Sequence, residues 1–192
     1  MLSGCLYKRN YLKYFTFSYD HSYHKKIDLQ AVTVKALTNE ECLDTFDVDL
    51  VEKGYIPLFV SIDNNSPDTL SIRPSYVDII PCSPQRIAKL LHYDTSLYTC
   101  GLCLPGLLFW WPALIVAGSV GYDMYRANHK TNERINECVI QDQPLYIRPY
   151  EKVDKFIFVH EDDYKYAFKF KIFNEDQHKI LIYNINLGYC SV

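Results

Sequence analysis

No charge of one sign dominates this chain: 20 lysines and arginines stand against 23 aspartates and glutamates, a net charge of −3. The basic residues are scattered and interleaved with acids, so the chain as a whole offers no field for nucleic acid or for acidic lipid, and no nucleic-acid partner is expected. Glycine is scarce, with 7 in 192 residues, and none is arranged in a phosphate-binding loop. There is neither an HExxH pair nor a nucleophile elbow. Cysteine is too sparse and dispersed to frame a disulfide scaffold, and the odd count of 7 leaves at least one thiol unpaired. No paired groups at catalytic spacing appear, so the expectation is a protein without enzymatic activity, cofactor or metal.

Charge is missing altogether from one stretch. Between Thr95 and Tyr122 the chain reads TSLYTCGLCLPGLLFWWPALIVAGSVGY, without an ionisable acid or base of the Asp, Glu, Lys or Arg type. Its length allows one transmembrane helix, which needs about 20 apolar residues to cross roughly 30 Å of hydrocarbon. Three features favour a hairpin instead. Pro105 and Pro112, with Gly101, Gly106, Gly118 and Gly121, punctuate the run where a helix would kink or turn. The basic flanks are balanced, Arg86 and Lys89 before it against Arg126, Lys130 and Arg134 after it, so no positive-inside bias orients a single span. A span would also part the strand-like halves of the chain, and neither half buries enough surface to fold comfortably alone. The expectation is two short arms, 95–122, dipping into one leaflet. Leu102, Leu104, Leu107, Leu108, Phe109, Trp110, Trp111, Leu114, Ile115 and Val116 are the membrane-embedded side chains. The alternatives are a single-pass span, and an apolar hairpin packed onto the rest of a soluble protein.

On both sides of that stretch the sequence is tyrosine-rich and strand-like. Aromatic residues make up 15% of the chain, and flat rings suit a pleated surface. Residues 1–26 lack a clean period and read as a tether whose Tyr and Lys side chains suit a bilayer surface. Residues 27–82 hold a first set of strands: 27–37 alternates strictly, 55–63 (YIPLFVSID) alternates more clearly still, and LSIRPSYVDIIP supplies two short strands broken at Arg73-Pro74-Ser75. Thr38-Asn39-Glu40-Glu41 opens a short helix or turn that Gly54 ends. Pro57 lacks a donor and belongs near a strand start or an edge. Asn64-Asn65-Ser66-Pro67-Asp68 makes a turn.

Residues 83–137 form an insertion. Ser83-Pro84 opens a helix with Ile87, Leu90 and Leu91 on one side, the hairpin follows, and a polar helix from Asp123 to Cys138 returns the chain to water. Residues 138–192 hold a second set of strands at 145–148, 155–160, 164–173 and 179–186. In the third of these, Tyr164, Tyr166, Phe168, Phe170 and Ile172 alternate with a largely basic face. Short strands with hairpin-like turns imply a mainly β, antiparallel fold with an inserted apolar helical hairpin.

Three local patterns hint at chemistry. Leu2-Ser3-Gly4-Cys5 has the form of a bacterial lipobox, making Cys5 the candidate for lipid attachment; only Met1 precedes it, so lipidation requires a start further upstream. Cys100-Gly101-Leu102-Cys103 is a CxxC, but a redox role needs a βαβ context absent here and a zinc site needs two more ligands. Glu161-Asp162-Asp163 beside His160 offers oxygen ligands to a cation, or simply an acidic hairpin tip.

Gly54-Tyr55-Ile56-Pro57-Leu58-Phe59-Val60-Ser61-Ile62-Asp63-Asn64-Asn65-Ser66, then Ser83-Pro84, the Gly- and Pro-containing apolar stretch, Ala127-Asn128 and Phe156-Ile157-Phe158-Val159 together resemble a group of bacterial envelope lipoproteins. The resemblance spans roughly residues 30–160. It implies an immunoglobulin-like β-sandwich interrupted by an apolar insertion, located at the membrane of the cell envelope, and carries over no catalytic residue. The expected function is a membrane-anchored interaction or scaffold module whose partners are membrane lipids and another envelope protein. A binding protein for lipid or another apolar ligand is the alternative.

Overall fold

The computed structural model describes residues 22–27, 29–92, 112–140 and 143–187, with the backbone alone at 22–24, 26 and 112–124. Residues Gln85–Glu137 belong to one compact unit; the described residues up to Pro84 and from Cys138 onward belong to another.

The larger unit contains two antiparallel sheets, and the described residues hold more strand than helix. One sheet has the order β1-β2-β3-β6 and the other β5-β4-β7-β8, from β1 (Ser22–Ile27), β2 (Gln30–Ala36), β3 (Tyr55–Asn64), β4 (Leu70–Ile72), β5 (Leu145–Ile147), β6 (Lys152–His160), β7 (Ala167–Asn174) and β8 (Lys179–Asn186). Alternation puts one set of side chains from each of β2 to β8 into a single core. Val32, Val34, Leu58, Val60, Ile62, Ile157 and Val159 come from the first sheet, and Leu70, Ile72, Ile147, Phe168, Phe170, Ile172, Leu181, Tyr183 and Ile185 from the second. The Tyr183 hydroxyl donates to the Gln30 carbonyl at 3.4 Å, so a polar group links the two sheets through a buried ring.

The stretch 27–37 is not one strand, and the segment before it is not wholly a tether. β1 begins at Ser22 and pairs with β2, closing at Ile27 opposite Gln30. The alternation of 27–37 therefore conceals a tight turn at Leu29; with Ile27 opposite Gln30, an odd-numbered residue of β1 shares a face with an even-numbered one of β2, a change of parity that a period read straight through the turn does not register.

β2 stops where proline prevents it from continuing. The Leu37 N–H donates to the Pro57 carbonyl at 2.9 Å, and Pro57 has no N–H to return the bond. Pro57 thus sits near the start of a strand that is central, between β2 and β6, rather than at a sheet edge. Its partner on β6, Phe158, sends its carbonyl away from β3 to the Cys82 N–H at 2.7 Å.

Helix α1 (Asn39–Phe46) starts at once. Thr38 accepts from the Glu41 N–H while the Glu41 carboxylate accepts from the Thr38 N–H, a reciprocal capping box. It ends at Asp47, which is left-handed at φ 55, and not at Gly54 as expected. Gly54 is left-handed too, at φ +78, but it leads into β3. A Cβ there would lie 3.3 Å from Glu161 Oε1, a contact that a small shift of that side chain relieves, so it is the left-handed backbone that favours glycine.

Phe46 carries α1 onto the outer side of the first sheet. Its ring lies 5.3 Å from Phe156 and 5.6 Å from Phe158, centroid to centroid, and Phe59 meets Phe156 at 5.5 Å. Cys42 and Leu50 are buried with it. Lys35, on the same side, is 3% exposed and is neutralised by an ion pair with Glu41. The central part of this sheet is therefore buried on both faces, which explains the near-continuous burial of β3.

The second half of LSIRPSYVDIIP is not a strand. After β4, residues Pro74–Tyr76 form a 3-10 turn. Val77 then bridges to Phe170 in the second sheet and Pro81 to Val159 in the first. The segment steps from one sheet to the other, and so pairs with each for only a residue. β7 starts at Ala167 rather than Tyr164, because Glu161–Asp163 is a further 3-10 turn and the chain extends again only beyond it.

The other unit contains α2 (Pro84–Leu91) and α3 (Pro112–Cys138). α2 buries Ile87, Ala88 and Leu91, with Leu90 only partly covered. A hydrogen bond of 2.9 Å joins His92 to Asn132 of α3.

Candidate functional site

Most of the predicted membrane site lies outside the described residues: Leu102, Leu104, Leu107, Leu108, Phe109, Trp110 and Trp111, as well as Cys5 and the Cys100–Cys103 pair. Leu114, Ile115 and Val116 lie on the backbone of α3. This helix requires a correction. A hairpin arm ending at Tyr122 and a separate polar helix from Asp123 are not two elements; one helix runs from Pro112 to Cys138. Pro112 suits a first helical position, where its missing N–H costs nothing. Gly118 and Gly121 do not stop the helix, because an interior glycine costs only about 1 kcal/mol relative to alanine.

α3 changes character along its length. From Pro112 to Tyr122 it carries no charge, and from Asp123 to Cys138 it carries Asp123, Arg126, Lys130, Glu133, Arg134 and Glu137. Eleven residues at 1.5 Å each make the uncharged part about 16 Å long, about half the hydrocarbon thickness of a bilayer. Among the described residues no helix is long and apolar enough to cross a membrane.

The insertion leaves and rejoins the sheets on one strand. On the way out, Pro81 bridges Val159 and the Cys82 N–H donates to the Phe158 carbonyl; on the way back, Val139 bridges Phe156 and the Ile140 N–H donates to the Phe156 carbonyl at 3.1 Å. Acceptors two residues apart on an extended strand are about 7 Å apart. Both roots therefore lie on the outer edge of β6 and cover main-chain groups that would otherwise be a free template for another strand.

One end of the larger unit is bound together by polar side chains. Asn64 is fully buried; its Nδ2 donates to the carbonyls of Asp68 at 2.8 Å and Arg148 at 2.9 Å, and its Oδ1 accepts from the Ser66 hydroxyl at 2.6 Å. Asp68 Oδ2 accepts from Asn174 at 2.9 Å and Gln177 at 2.6 Å. Asp176 accepts from the Thr69 N–H at 2.6 Å. Three loops distant in sequence are thus joined, and the NNSPD turn is one part of a larger polar junction. At the opposite end, the His160 ring packs edge-on against Tyr55 at 5.2 Å. His160 Nδ1 lies 3.2 Å from Asp162 Oδ2, and the Glu161 N–H donates to the Gly54 carbonyl at 3.0 Å. Among the described residues no group of three or more His, Cys, Asp or Glu side chains is placed to hold a metal ion.

Of the thiols described, Cys42 is buried and Cys82 and Cys138 are half-buried, and none is in a disulfide. Burial, with the nearby Asp49 carboxylate adding to it, pushes the Cys42 thiol up to about 12. It is a packing residue, not a nucleophile.

Sequence reasoning missed the Lys35–Glu41 pair, the Asn64 junction and the shared β6 edge. Only the second had a visible signal, since two asparagines followed by Ser-Pro-Asp hold more side-chain hydrogen-bonding groups than a turn needs. No protein-family model, curated protein or solved structure matches the chain.

Proposed function

We propose that the chain is a membrane-associated interaction module of the bacterial cell envelope, an immunoglobulin-like β-sandwich with an apolar helical insertion, lipidated at Cys5 and without catalytic activity. The observation that carries the membrane assignment is the lengthwise polarity of α3. A helix apolar on every side over Pro112–Tyr122 needs an apolar surrounding, and the charged continuation needs water. A boundary between the two media satisfies both, and about 16 Å of apolar helix suits one leaflet better than a crossing.

The strand order supports the immunoglobulin-like assignment. β2, β3 and β6 take the places of strands A, B and E, while β4, β7 and β8 take those of C, F and G, with β5 beside β4. The function then rests on the outer surfaces of the sheets and on another envelope protein that binds them. The resemblance of residues 30–160 to envelope lipoproteins adds the location.

Carbonate extraction of membranes is the test. The full chain is expected to stay in the pellet, and a variant lacking Cys100 to Tyr122 to be released. If the deletion variant stays behind, adding Cys5→Ala should free it. Release of the intact chain by carbonate overturns the membrane assignment. Cross-linking in intact cells then separates the readings of role: a specific envelope protein supports the interaction module, and co-purifying lipid without a protein favours an apolar-ligand carrier.

A further inference from the structure

The outward positions of β5, β4, β7 and β8 hold no carboxylate. They are Tyr146; Ser71; Ala167, Lys169, Lys171 and Phe173; and Ile180, Ile182, Asn184 and Asn186. The register aligns Tyr146, Ser71, Phe173 and Ile180 in one row across all four strands, with Lys171 opposite Ile182 and Lys169 opposite Asn184 in the rows beside it. Four strands spaced about 4.8 Å apart make this face about 14 Å wide between its outer strands. Tyr146 is 57% exposed, Ile180 52% and Ile182 46%, while Phe173 is half-buried and Ser71, within the same row, is buried. Asp78 bonds through its N–H to the Lys169 carbonyl, and its carboxylate lies 3.7 Å from Lys165 Nζ; Glu175 and Asp176 follow the end of β7, where Asp176 accepts from the Thr69 N–H. Lys169 and Lys171 have no carboxylate partner among the described residues.

We propose that this face docks on an anionic bilayer surface, with Lys169 and Lys171 at the level of the lipid phosphates and Tyr146, Phe173, Ile180 and Ile182 entering the boundary below. Lysine is drawn to an anionic leaflet, and a tyrosine ring suits the interface. A second copy of the chain fits badly, because the same face on the copy brings no carboxylate from its outward strand positions to Lys169 and Lys171. A folded acidic partner fits less well than lipid: its energy would concentrate in aromatic or arginine anchors, whereas the exposed side chains here are two isoleucines on an edge strand and one tyrosine on the opposite edge. The inference deepens the membrane reading above and rests on it for the presence of a bilayer, but it concerns a different surface from the apolar segment.

The experiment uses the full chain with a photoreactive phenylalanine at position 182, mixed with vesicles of phosphatidylglycerol or of phosphatidylcholine. Cross-linking to lipid is expected with phosphatidylglycerol and several-fold less with phosphatidylcholine. K169A/K171A should lower it several-fold, as should about 1 M salt, where the screening length is about 3 Å. The same group at Leu43, exposed on α1, should give little lipid adduct. Equal yields at positions 43 and 182, equal yields on the two lipids, adducts between chains, or protein adducts in place of lipid in native membranes would each overturn the proposal. The two membrane claims fail separately. Carbonate release with persistent cross-linking at 182 removes the embedded segment and keeps this face; carbonate retention without cross-linking does the reverse.

Discussion

The two sheets are built by the same inward alternation and differ in what their outer sides meet. Over the first sheet, α1 places Phe46 against Phe156 and Phe158, and the cationic Lys35 is buried there with Glu41. Over the second, Ile180, Ile182 and Tyr146 stay in solvent between lysines. The covered side holds a charge that had to find a partner within the chain. The open side holds charges that have none. A cation buried without its carboxylate is costly by several kcal/mol, so the Lys35 partner is required by the fold; lysines in water cost nothing to leave unpaired, so Lys169 and Lys171 place no demand on the fold and are open to the docking role proposed above.

Truncating the covered side should have the largest effect on stability. Phe46 is 1% exposed and packs against two rings of one cluster, Phe156 and Phe158, and emptying a buried phenylalanine site costs about 3–5 kcal/mol. Phe46→Ala should therefore shift the urea midpoint strongly. A change below about 1 kcal/mol would mean that α1 is a loose cover and that the two sides are not as different as their burial implies.

How much of this contrast could be read beforehand depends on the period involved. β3, β7 and β8 were legible because alternation is local, and the buried positions Phe168, Phe170 and Ile172 fall on the side expected to be apolar. The capping residue Thr38 was legible for the same reason, three residues from its partner Glu41. The helix end was not, since Asp47 adopts a left-handed conformation that glycine more often signals. Nor was the covering of one sheet: Lys35 lies in an alternating stretch and nothing near it says that both parities are buried. The shared β6 edge joins Cys82 and Ile140 to residues at positions 158 and 156, a long-range pairing that no local pattern encodes. Of the candidate site, the apolar run was visible as composition, but the continuity of α3 through Tyr122 was not, because proline and glycine suggested breaks that an established helix tolerates.

A smaller effect separates the sides by pH. The Cys42 thiol under α1 is raised from 9.0 to about 12 by burial. In the unfolded chain it ionises around pH 9, while in the folded chain it remains protonated, so the neutral form is favoured by folding. This contribution is intact below about pH 9 and is lost as pH rises from there towards 12. Between pH 9 and 10 the loss should be about 1 kcal/mol. Cys42→Ala, less stable at neutral pH, should show a flatter decline across that interval. Parallel declines in the two proteins would place the thiol in contact with water and weaken the case that this side is sealed.

The smallest expected effect lies on the open side. Ile180 and Ile182 point away from the core on an edge strand, while their neighbours Leu181 and Tyr183 point into it. Serine at both exposed positions removes apolar surface already in water, so folding stability should change by no more than about 0.5 kcal/mol per site. A change in urea midpoint as large as that of Phe46→Ala would show that these side chains are held by the chain itself. With stability unchanged, weaker association of the double variant with phosphatidylglycerol vesicles would assign their exposure to docking. Retained association would leave Lys169 and Lys171 as the residues that hold the face to the lipid.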